Sequence, residues 1–440
     1  MGLTLGEKIK EFLKEIDLLS LALALSISIL PWSIWLNSIS IIIISVGLII
    51  YTLMKKKRLI IRLKPFLITS VFFWVSITWL TITSDMREGG KYVEHGLSSL
   101  IFPILFSVVN NHYRININYI FLLFLGSCVL KYLLFVIGII EIELIFILEY
   151  WKEIFIQVNQ LFKLRAMHPS YFSMYLGFCS LISYHYYCIV NKKRNKYFFL
   201  FLLILTFAFN LSLMAKMPLI ASIISLFVAF IISLFKSFKE KTRTVIVVSF
   251  LCISFLCALY IKNVPNSFIQ EINNYYKLIN GDNIEDTYDY NQYGIDSSIN
   301  SWKKTNRVYI WRSSIDVIKE EKKLLLGVGT GDIKKNLKAK YLKNDFKYLA
   351  TNNTNTHNQY LDYIIRYGIV GLILIIAAFC LYLKKANEKQ NYLYMMFLLL
   401  ICLSMLTENI LNRQYGIVFF FFFNSFFFLI SKRKTDMRMQ

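Results

Sequence analysis

Residues 355–372 read NTHNQYLDYIIRYGIVGL and join a polar stretch that contains a histidine directly to an apolar one. Thr356 and Gln359 match a T-x-x-Q capping box, which predicts Thr356 as the N-cap of a helix and His357 as its first residue. The positive end of the helix dipole and partial burial both disfavour a second proton on an imidazole in that place. A neutral imidazole accepts a proton, so His357 is a candidate general base.

Two further ionisable residues lie just inside the same predicted helix. Asp362 and Arg366 are four residues apart with the acid first, a spacing that favours an ion pair on one helix face. This pairing leaves His357 without a structural partner in the segment. Taken alone, the segment also fits a plain polar interface residue at His357, so the surrounding elements must decide between the two interpretations.

Cationic residues lie at the ends of two other apolar stretches. Arg165 and His168 precede Pro169 in RAMHPS, and proline is common in the first turn of a helix. Lys216 lies in a very short connection between two apolar stretches. Arginine binds phosphate through paired hydrogen bonds and lysine binds it as a point charge. Arg165 and Lys216 also fit interfacial anchors that reach water by snorkelling.

A third group of candidate site residues, with two arginines that could bind phosphate, lies in a long polar segment. Arg307, Trp311 and Arg312 fall on a predicted helix at residues 301–323. Arg307 borders the apolar face of that helix, so its guanidinium can point toward whatever the face covers. The alternative is a solvated charge beside a packed tryptophan.

The composition shows which elements must position these residues. The chain has 440 residues, of which 56% are hydrophobic and 17% charged, and its mean hydropathy is +0.52. Soluble chains carry about 25% charged residues, and apolar blocks of roughly 20 residues are long enough to cross a bilayer as a helix. We therefore expect an all-α, polytopic membrane protein. Twelve spans are predicted, at residues 18–36, 38–54, 65–84, 96–110, 118–140, 168–190, 197–212, 217–235, 244–262, 358–383, 391–407 and 415–431.

The distribution of basic residues predicts the orientation of these spans. Alternate connections and the two termini carry about 25 Lys and Arg, against about 7 in the short connections on the other side, which places both termini in the cytoplasm. The net charge of +22 is thereby explained as a topology signal, and no nucleic-acid partner is expected.

One connection is far longer than the others and is predicted to lie on the outer side of the membrane. It divides the chain into residues 1–262 with nine spans, the loop at 263–357, and residues 358–440 with three spans. Residues 265–280 and 301–323 each favour an amphipathic helix. The second helix places four residues on one apolar face: Val308, Trp311, Ile315 and Ile318. Glycines in LLLGVGTGD then predict a tight turn.

These pieces, taken in order, resemble the O-antigen ligase and O-antigen polymerase superfamily of bacterial envelope enzymes. The resemblance covers about residues 160–380 and rests on six short motifs: RAMHPS from Arg165, SLMAK ending at Lys216, RVYIW from Arg307, GVGTG from Gly327, HNQYL from His357 and GIVG from Gly368. The family commonly has arginine where this chain has Lys216, which binds phosphate without paired hydrogen bonds.

The resemblance implies a GT-C-like architecture in the inner membrane and an activity at its periplasmic face. The implied donor is a glycan on undecaprenyl diphosphate, and the acceptor is a hydroxyl of lipid A-core or of a second lipid-linked glycan. His357 and Arg307 are the implied catalytic residues. The implied diphosphate ligands are Arg165, Lys216 and Arg312, with support from His168, Trp311 and Asn358. The implied transfer inverts the anomeric carbon and needs neither a metal nor another cofactor.

Three functions remain open at this stage. A ligase to lipid A-core is favoured over a polymerase that extends one lipid-linked glycan with another, but the motifs do not separate the two. A transporter of lipid-linked sugars, or another non-enzymatic membrane protein, would carry charges through several mid-membrane positions. Here they cluster at one face, which favours an enzyme. The sugar, the acceptor position, the oligomeric state and the role of Lys131 are left open.

Overall fold

The computed structural model describes residues 17–113, 115–141, 167–213, 215–237, 297–320, 323–344 and 346–430. Within these ranges the chain is helical, with no β-strand. Three predictions fall outside them: Arg165, the span at 244–262 and the loop helix at 265–280.

Ten α-helices are described before the long loop. They are α1 Leu18–Ile29, α2 Ile34–Met54, α3 Leu63–Thr69, α4 Val71–Thr78, α5 Met86–His95, α6 Ser98–His112, α7 Ile117–Glu141, α8 Pro169–Ile189, α9 Lys193–Ser212 and α10 Lys216–Ser237. A 3-10 turn at Trp79–Ile82 extends α4.

Six α-helices are described from the loop onward. They are α11 Ser297–Glu320, α12 Ile333–Lys343, α13 Lys347–Thr351, α14 Gln359–Glu388, α15 Tyr392–Ser404 and α16 Gln414–Leu429. A 3-10 turn, Ile410–Asn412, lies in the connection between α15 and α16. The helix α11 begins four residues before the predicted start at residue 301.

The described helices include six that are long and apolar enough to cross a membrane. The helices α3 and α4 add a seventh if they form one span, and they meet at an angle of 67°. The prediction of a multi-pass helical membrane protein is therefore confirmed, whereas the count of twelve spans is not established. Three apolar helices, α1, α15 and α16, have only 10–17 residues.

Two layers of polar side chains join α8 to its neighbours. The Ser173 hydroxyl donates to Asn210 Oδ1 at 2.5 Å, and the Asn210 amide donates to Ser222 Oγ at 3.0 Å. Ser180 and Thr206 share a hydrogen bond of 2.9 Å. Such pairs join membrane helices because a buried polar group there needs an internal partner. Burial on most sides explains why α8 spans 21 residues with a sequence rich in serine and tyrosine.

The phenylalanine run of α16 fills the centre of the bundle. Phe422 packs edge-on against Phe102 and Phe106 of α6, with ring centroids 5.4 and 5.2 Å apart. Phe423 packs on Phe178 of α8 at 4.7 Å. Edge-to-face contacts stabilise aromatic clusters beyond the area that they bury.

The long helix α14 is interrupted at Gly368, within the predicted Gly-x2-Gly step. Gly368 has φ 64° and ψ −171°, a combination that in practice only glycine adopts. A Cβ at this position would lie 2.1 Å from the carbonyl oxygen of Leu325. The glycine therefore permits both the interruption and the close approach of another backbone.

The predicted glycine turn supplies that backbone. Four hydrogen bonds join the turn to the interruption: Val328 N–H to Ile365 O at 2.8 Å, Gly329 N–H to Arg366 O at 3.0 Å, Ile369 N–H to Leu324 O at 2.9 Å and Val370 N–H to Leu325 O at 3.2 Å. Backbone groups freed in a broken membrane helix need such internal partners. The two glycine motifs thus act together to fix the loop against α14.

The loop has a small hydrophobic core of its own that packs on Ile365 of α14. On α11 the buried residues are Ile310 and Val317, which are 1% and 3% exposed. The predicted apolar face was therefore wrong at Ile315, which is 42% exposed. The buried face of α11 is rotated relative to the predicted one, so that it includes Ser313 and Ser314. Apolar periodicity gives no signal for buried serines.

Candidate active site

Glu408 lies in the connection between α15 and α16, residues 405–413, and four polar side chains surround its carboxylate. His357 Nδ1 is 3.5 Å from Oε2, and Arg307 Nη2 is 3.5 Å from Oε1. The Ser170 hydroxyl donates to Oε1 at 3.5 Å. His168 interacts with the same carboxylate electrostatically. We call these five residues the Glu408 cluster.

The surroundings of Glu408 favour its charged form. Burial of the carboxyl has the largest single effect and opposes ionisation, whereas the hydrogen bond with His357 favours it. The charges of His357, His168 and Arg307 act in the same direction, so the pKa of Glu408 lies below its ordinary value. A buried carboxylate that stays ionised can orient and stabilise a cationic partner.

The predicted capping box is wrong, because the N-cap of α14 is Asn358. Its side-chain oxygen accepts from the N–H groups of Tyr360 and Leu361 at 2.9 and 3.1 Å. The predicted supporting residue Asn358 thus caps the helix that follows His357.

Besides a local hydrogen bond from the Thr356 hydroxyl to the Asn358 carbonyl at 2.9 Å, the side chains of Thr356 and Gln359 have partners in the 405–413 connection. The Thr356 hydroxyl pairs with the amide side chain of Asn409 at 3.0–3.1 Å. Gln359 Oε1 accepts the N–H of Leu411 at 2.7 Å. Hydrogen bonds between residues some fifty positions apart in the sequence thus form in place of the predicted capping box. They hold the connection that carries Glu408 beside the start of α14.

His357 precedes the helix and has a left-handed backbone conformation, with φ 44°. Few non-glycine residues adopt this conformation, and it is commonest at constrained or functional positions. The Asn355 side chain accepts the backbone N–H of His357 at 3.1 Å. The imidazole is 36% exposed, so it contacts Glu408 on one side and remains accessible to a substrate.

The loop helix α11 brings Arg307 to this place. Trp311 lies one turn after Arg307, and its indole N–H donates to the Thr356 carbonyl at 3.0 Å. This hydrogen bond ties α11 to the residue before His357. Trp311 and Glu408 thus bring Arg307 of the loop helix close to His357 at the start of α14.

A second charged pair lies one helical turn away, and the prediction of a local Asp362–Arg366 ion pair is confirmed. Arg366 Nε is 3.1 Å from Asp362 Oδ2, and the side chains are 5% and 2% exposed. Asp362 also accepts from Asn409 at 3.1 Å and from Asn412 at 2.9 Å. Arg366 donates to the Thr330 carbonyl of the glycine turn. The pair therefore joins α14 to the turn and to the 405–413 connection.

Of the remaining predicted site residues, His168 belongs to the Glu408 cluster, and Lys216 and Arg312 were not counted in it. His168 is the N-cap of α8, and its Nδ1 accepts the Ser170 N–H at 3.3 Å. Lys216 is the first residue of α10 and is half-buried. Arg312 on α11 is exposed. Within the described residues, no hydrogen bond or ion pair links Arg312 to the Glu408 cluster, and the proposed diphosphate role of Lys216 and Arg312 stays a prediction.

Glu408 was missed by sequence reasoning, although a signal was present. The connection TENILNRQ between two apolar stretches contains one acidic residue. It is short and falls on the side of the bundle where the other candidate residues were sought. An acid in that position has the same claim to function as the basic residues that were considered.

The fold and the cluster define a multi-pass helical membrane protein with a histidine, an arginine and a buried carboxylate beside a large loop. Residues 198–376 match the family model described as O-antigen ligase. The match supports the resemblance to the O-antigen ligase superfamily found in the motifs, and it includes Lys216, Arg307, Trp311 and His357. No curated protein matches the chain significantly.

Proposed function

We propose that this protein is an inner-membrane glycosyltransferase that moves a glycan from undecaprenyl diphosphate to an acceptor hydroxyl of lipid A-core. The observation that carries the proposal is the Glu408 cluster, in which one buried carboxylate contacts both a histidine and an arginine. The relationship to the O-antigen ligases supplies the donor class. The reaction takes place at the outer face of the membrane, where the proposed topology places the loop.

His357 is the proposed general base. When Nδ1–H donates a hydrogen bond to the Glu408 carboxylate and keeps its proton, the lone pair of Nε2 is free to accept a proton from the acceptor hydroxyl. The carboxylate then stabilises the imidazolium that forms, as in other histidine–carboxylate pairs. The backbone of His357 is held by Asn355, and Trp311 holds the carbonyl of the preceding residue. Both contacts limit the movement of the imidazole during proton transfer.

Arg307 is the proposed ligand of the leaving group. The acceptor oxygen forms a bond to the anomeric carbon while the bond from that carbon to the diphosphate oxygen breaks, and in-line attack inverts the configuration. Charge develops on the diphosphate, which a preorganised guanidinium stabilises. Arg307 lies 3.5 Å from Glu408, a loose contact that a phosphate oxygen can replace. Arg165, Lys216 and Arg312 are further proposed ligands, and no step uses a metal ion.

A gene deletion complemented with single variants tests this function. The deletion strain should lack polymer on lipid A-core and retain it on the lipid carrier, as seen by gel electrophoresis of the two fractions. The wild-type gene should restore the polymer, whereas His357→Ala, Arg307→Ala and Glu408→Gln should not. Each variant must be present in the membrane at the wild-type level.

The same experiment separates the alternatives. A core that carries a single repeat unit would assign a polymerase, which could use the same cluster. Full restoration by His357→Ala would refute the catalytic assignment. Retention of the lipid-linked glycan on the cytoplasmic side would instead indicate a transporter.

A further inference from the structure

Three adjacent leucines directly before the glycine turn have exposed side chains. Leu324, Leu325 and Leu326 form a turn of their own and are 47%, 66% and 52% exposed. The Gly327 N–H donates to the Lys323 carbonyl at 2.7 Å and closes this turn. We call the three leucines the leucine tip. A contiguous apolar patch of this kind marks an interaction site, whereas scattered exposed apolar residues do not.

The leucine tip is fixed to α14 just after the interruption at Gly368. Two of the backbone hydrogen bonds described above join them: Ile369 N–H to Leu324 O at 2.9 Å and Val370 N–H to Leu325 O at 3.2 Å. The indole N–H of Trp79 donates to the third carbonyl, that of Leu326, at 2.6 Å. The tip therefore lies at the level of residues 369–370 of α14.

Helix geometry places this level inside the hydrocarbon core of the membrane. The helix α14 is long and apolar enough to cross a membrane, and lysines such as Lys384 near the end of a span lie at the membrane surface. Ile369 precedes Lys384 by fifteen residues, which corresponds to a height of about 22 Å. The hydrocarbon core is about 30 Å thick. The leucine tip thus lies roughly 8 Å inside the opposite edge of the core, and any tilt of α14 brings it deeper.

Exposed apolar side chains continue from the leucine tip along α14. Ile369, Val370 and Ile373 are 36%, 41% and 58% exposed. Lys323, which directly precedes the tip, is exposed as well, and a lysine stem can lie along apolar surface while its ammonium reaches water. An apolar surface that continues onto a membrane-crossing helix and is bounded by a lysine fits contact with the acyl chains of a bilayer.

We propose that the leucine tip inserts into the bilayer from the side of the loop and anchors the loop to the membrane through phospholipid acyl chains. The proposal goes beyond the proposed function, because it concerns the partner of the loop and not the reaction. Irregular backbone at membrane depth needs hydrogen-bond partners within the protein. The three carbonyls of the tip all have such partners, in α14 and Trp79. The predicted outer loop at 263–357 therefore re-enters the membrane at the tip.

Photocrosslinking of the full chain identifies what contacts the leucine tip. The crosslinker p-benzoylphenylalanine would replace Leu325 or, as a matched control, Leu342, in nanodiscs of phosphatidylethanolamine and phosphatidylglycerol. Leu342 belongs to α12 of the same loop, is 54% exposed and is followed by the exposed Lys343. After irradiation, mass spectrometry should find a phospholipid adduct at position 325 at least about fivefold more often than at position 342.

Two results of this experiment would overturn the proposal. One is a phospholipid adduct that is no more frequent at position 325 than at position 342, including none at either. The other is a crosslink from position 325 mainly to protein, because another segment of the chain or a second copy would then cover the tip.

A charge at the tip gives a second test. Leu325→Asp places a carboxylate at membrane depth, where it is strongly disfavoured, so the tip should leave the bilayer. Limited proteolysis of the loop in nanodiscs should become about tenfold faster, whereas Leu342→Asp should stay within about twofold of wild type. Equal rates for the two variants would contradict insertion of the tip. Neither test uses the transfer reaction, so their outcomes are independent of the proposed function.

Discussion

Two carboxylates near the start of α14 are both largely buried, yet their contacts differ. Asp362 is 1% exposed and has hydrogen bonds of 2.9–3.1 Å to Asn409, Asn412 and Arg366. Glu408 has contacts of 3.5 Å to Arg307 and His357, whose side chains are 32% and 36% exposed. The short contacts of Asp362 leave it little capacity for a ligand, whereas the partners of Glu408 can exchange with one.

This difference indicates that Asp362 has a structural role and Glu408 a catalytic role at the same end of α14. The Asp362 pair connects the helix, the glycine turn and the 405–413 connection, and it thereby holds Glu408 in place. The Glu408 cluster carries the exposed imidazole and guanidinium. Mutation should therefore affect stability at the first carboxylate and catalysis at the second.

His357→Ala should have the largest effect on activity. Loss of a general base lowers the rate of transfer by about 10²–10⁴-fold. The unfolding temperature should fall only slightly, because the lost contact with Glu408 is 3.5 Å long and the imidazole is 36% exposed. Transfer kinetics and thermal unfolding of the purified protein measure both. His185→Ala, at the far end of α8, is the matched control. Equal inactivation by that variant would show that the loss of activity in His357→Ala is not specific to the proposed base.

Asp362→Ala should have the largest effect on stability. It leaves Arg366 buried without its counter-charge, which costs about 3–5 kcal/mol. The amount of folded protein in the membrane should drop, and detergent-solubilised protein should unfold at a lower temperature. Glu388→Gln removes the acid of another pair on α14, Lys385–Glu388, which is exposed and contributes about 0–1 kcal/mol. Similar losses from the two variants would contradict the scaffold role.

Gly368→Ala should destabilise the contact between the loop and α14. The positive φ costs about 1–3 kcal/mol for a non-glycine residue, and the added Cβ would clash with the Leu325 carbonyl. Gly126→Ala in α7 is the control, because a Cβ there meets nothing within 4 Å. Limited proteolysis of the loop should become faster only in Gly368→Ala. Equal proteolysis of both variants would show that the glycine turn does not anchor the loop.

The smallest expected effect is the pH dependence contributed by Glu408. Its pKa is lower in the folded protein than in the unfolded chain, so its stabilising contribution is present above the ordinary carboxyl pKa of about 4.3. The contribution is lost as pH falls through the folded pKa. Between pH 6 and 3, wild type should therefore lose stability more steeply than Glu408→Gln. Parallel curves would mean that the cluster does not stabilise the carboxylate.

The sequence predicted the parts of this fold that depend on local pattern. Apolar length predicted the membrane helices, and the spacing of Asp362 and Arg366 predicted their ion pair. The glycines at 327–331 predicted a tight turn. The partner of that turn, the interruption at Gly368, was not predicted, because backbone pairing between segments some forty residues apart has no periodic signal.

The candidate site was predicted only in part, and for a related reason. His357, Arg307 and Trp311 were chosen from local chemistry and from the resemblance, and the structure brings them together. Glu408, the carboxylate that His357 and Arg307 both contact, comes from a different connection, about fifty residues beyond His357. Thr356 and Gln359 do not form the predicted capping box, because their side chains hydrogen-bond to Asn409 and Leu411 of the same distant connection. The local sequence gives no sign of these partners.

A double-mutant cycle on His357 and Glu408 tests the central claim most directly. Rates of glycan transfer would be measured for wild type, His357→Ala, Glu408→Gln and the double variant, at equal amounts of folded protein. If Glu408 acts through His357, Glu408→Gln alone slows transfer, and the double variant is no slower than His357→Ala. If the two losses multiply as independent effects, or if Glu408→Gln transfers at the wild-type rate, the histidine–carboxylate pair is not the catalytic unit.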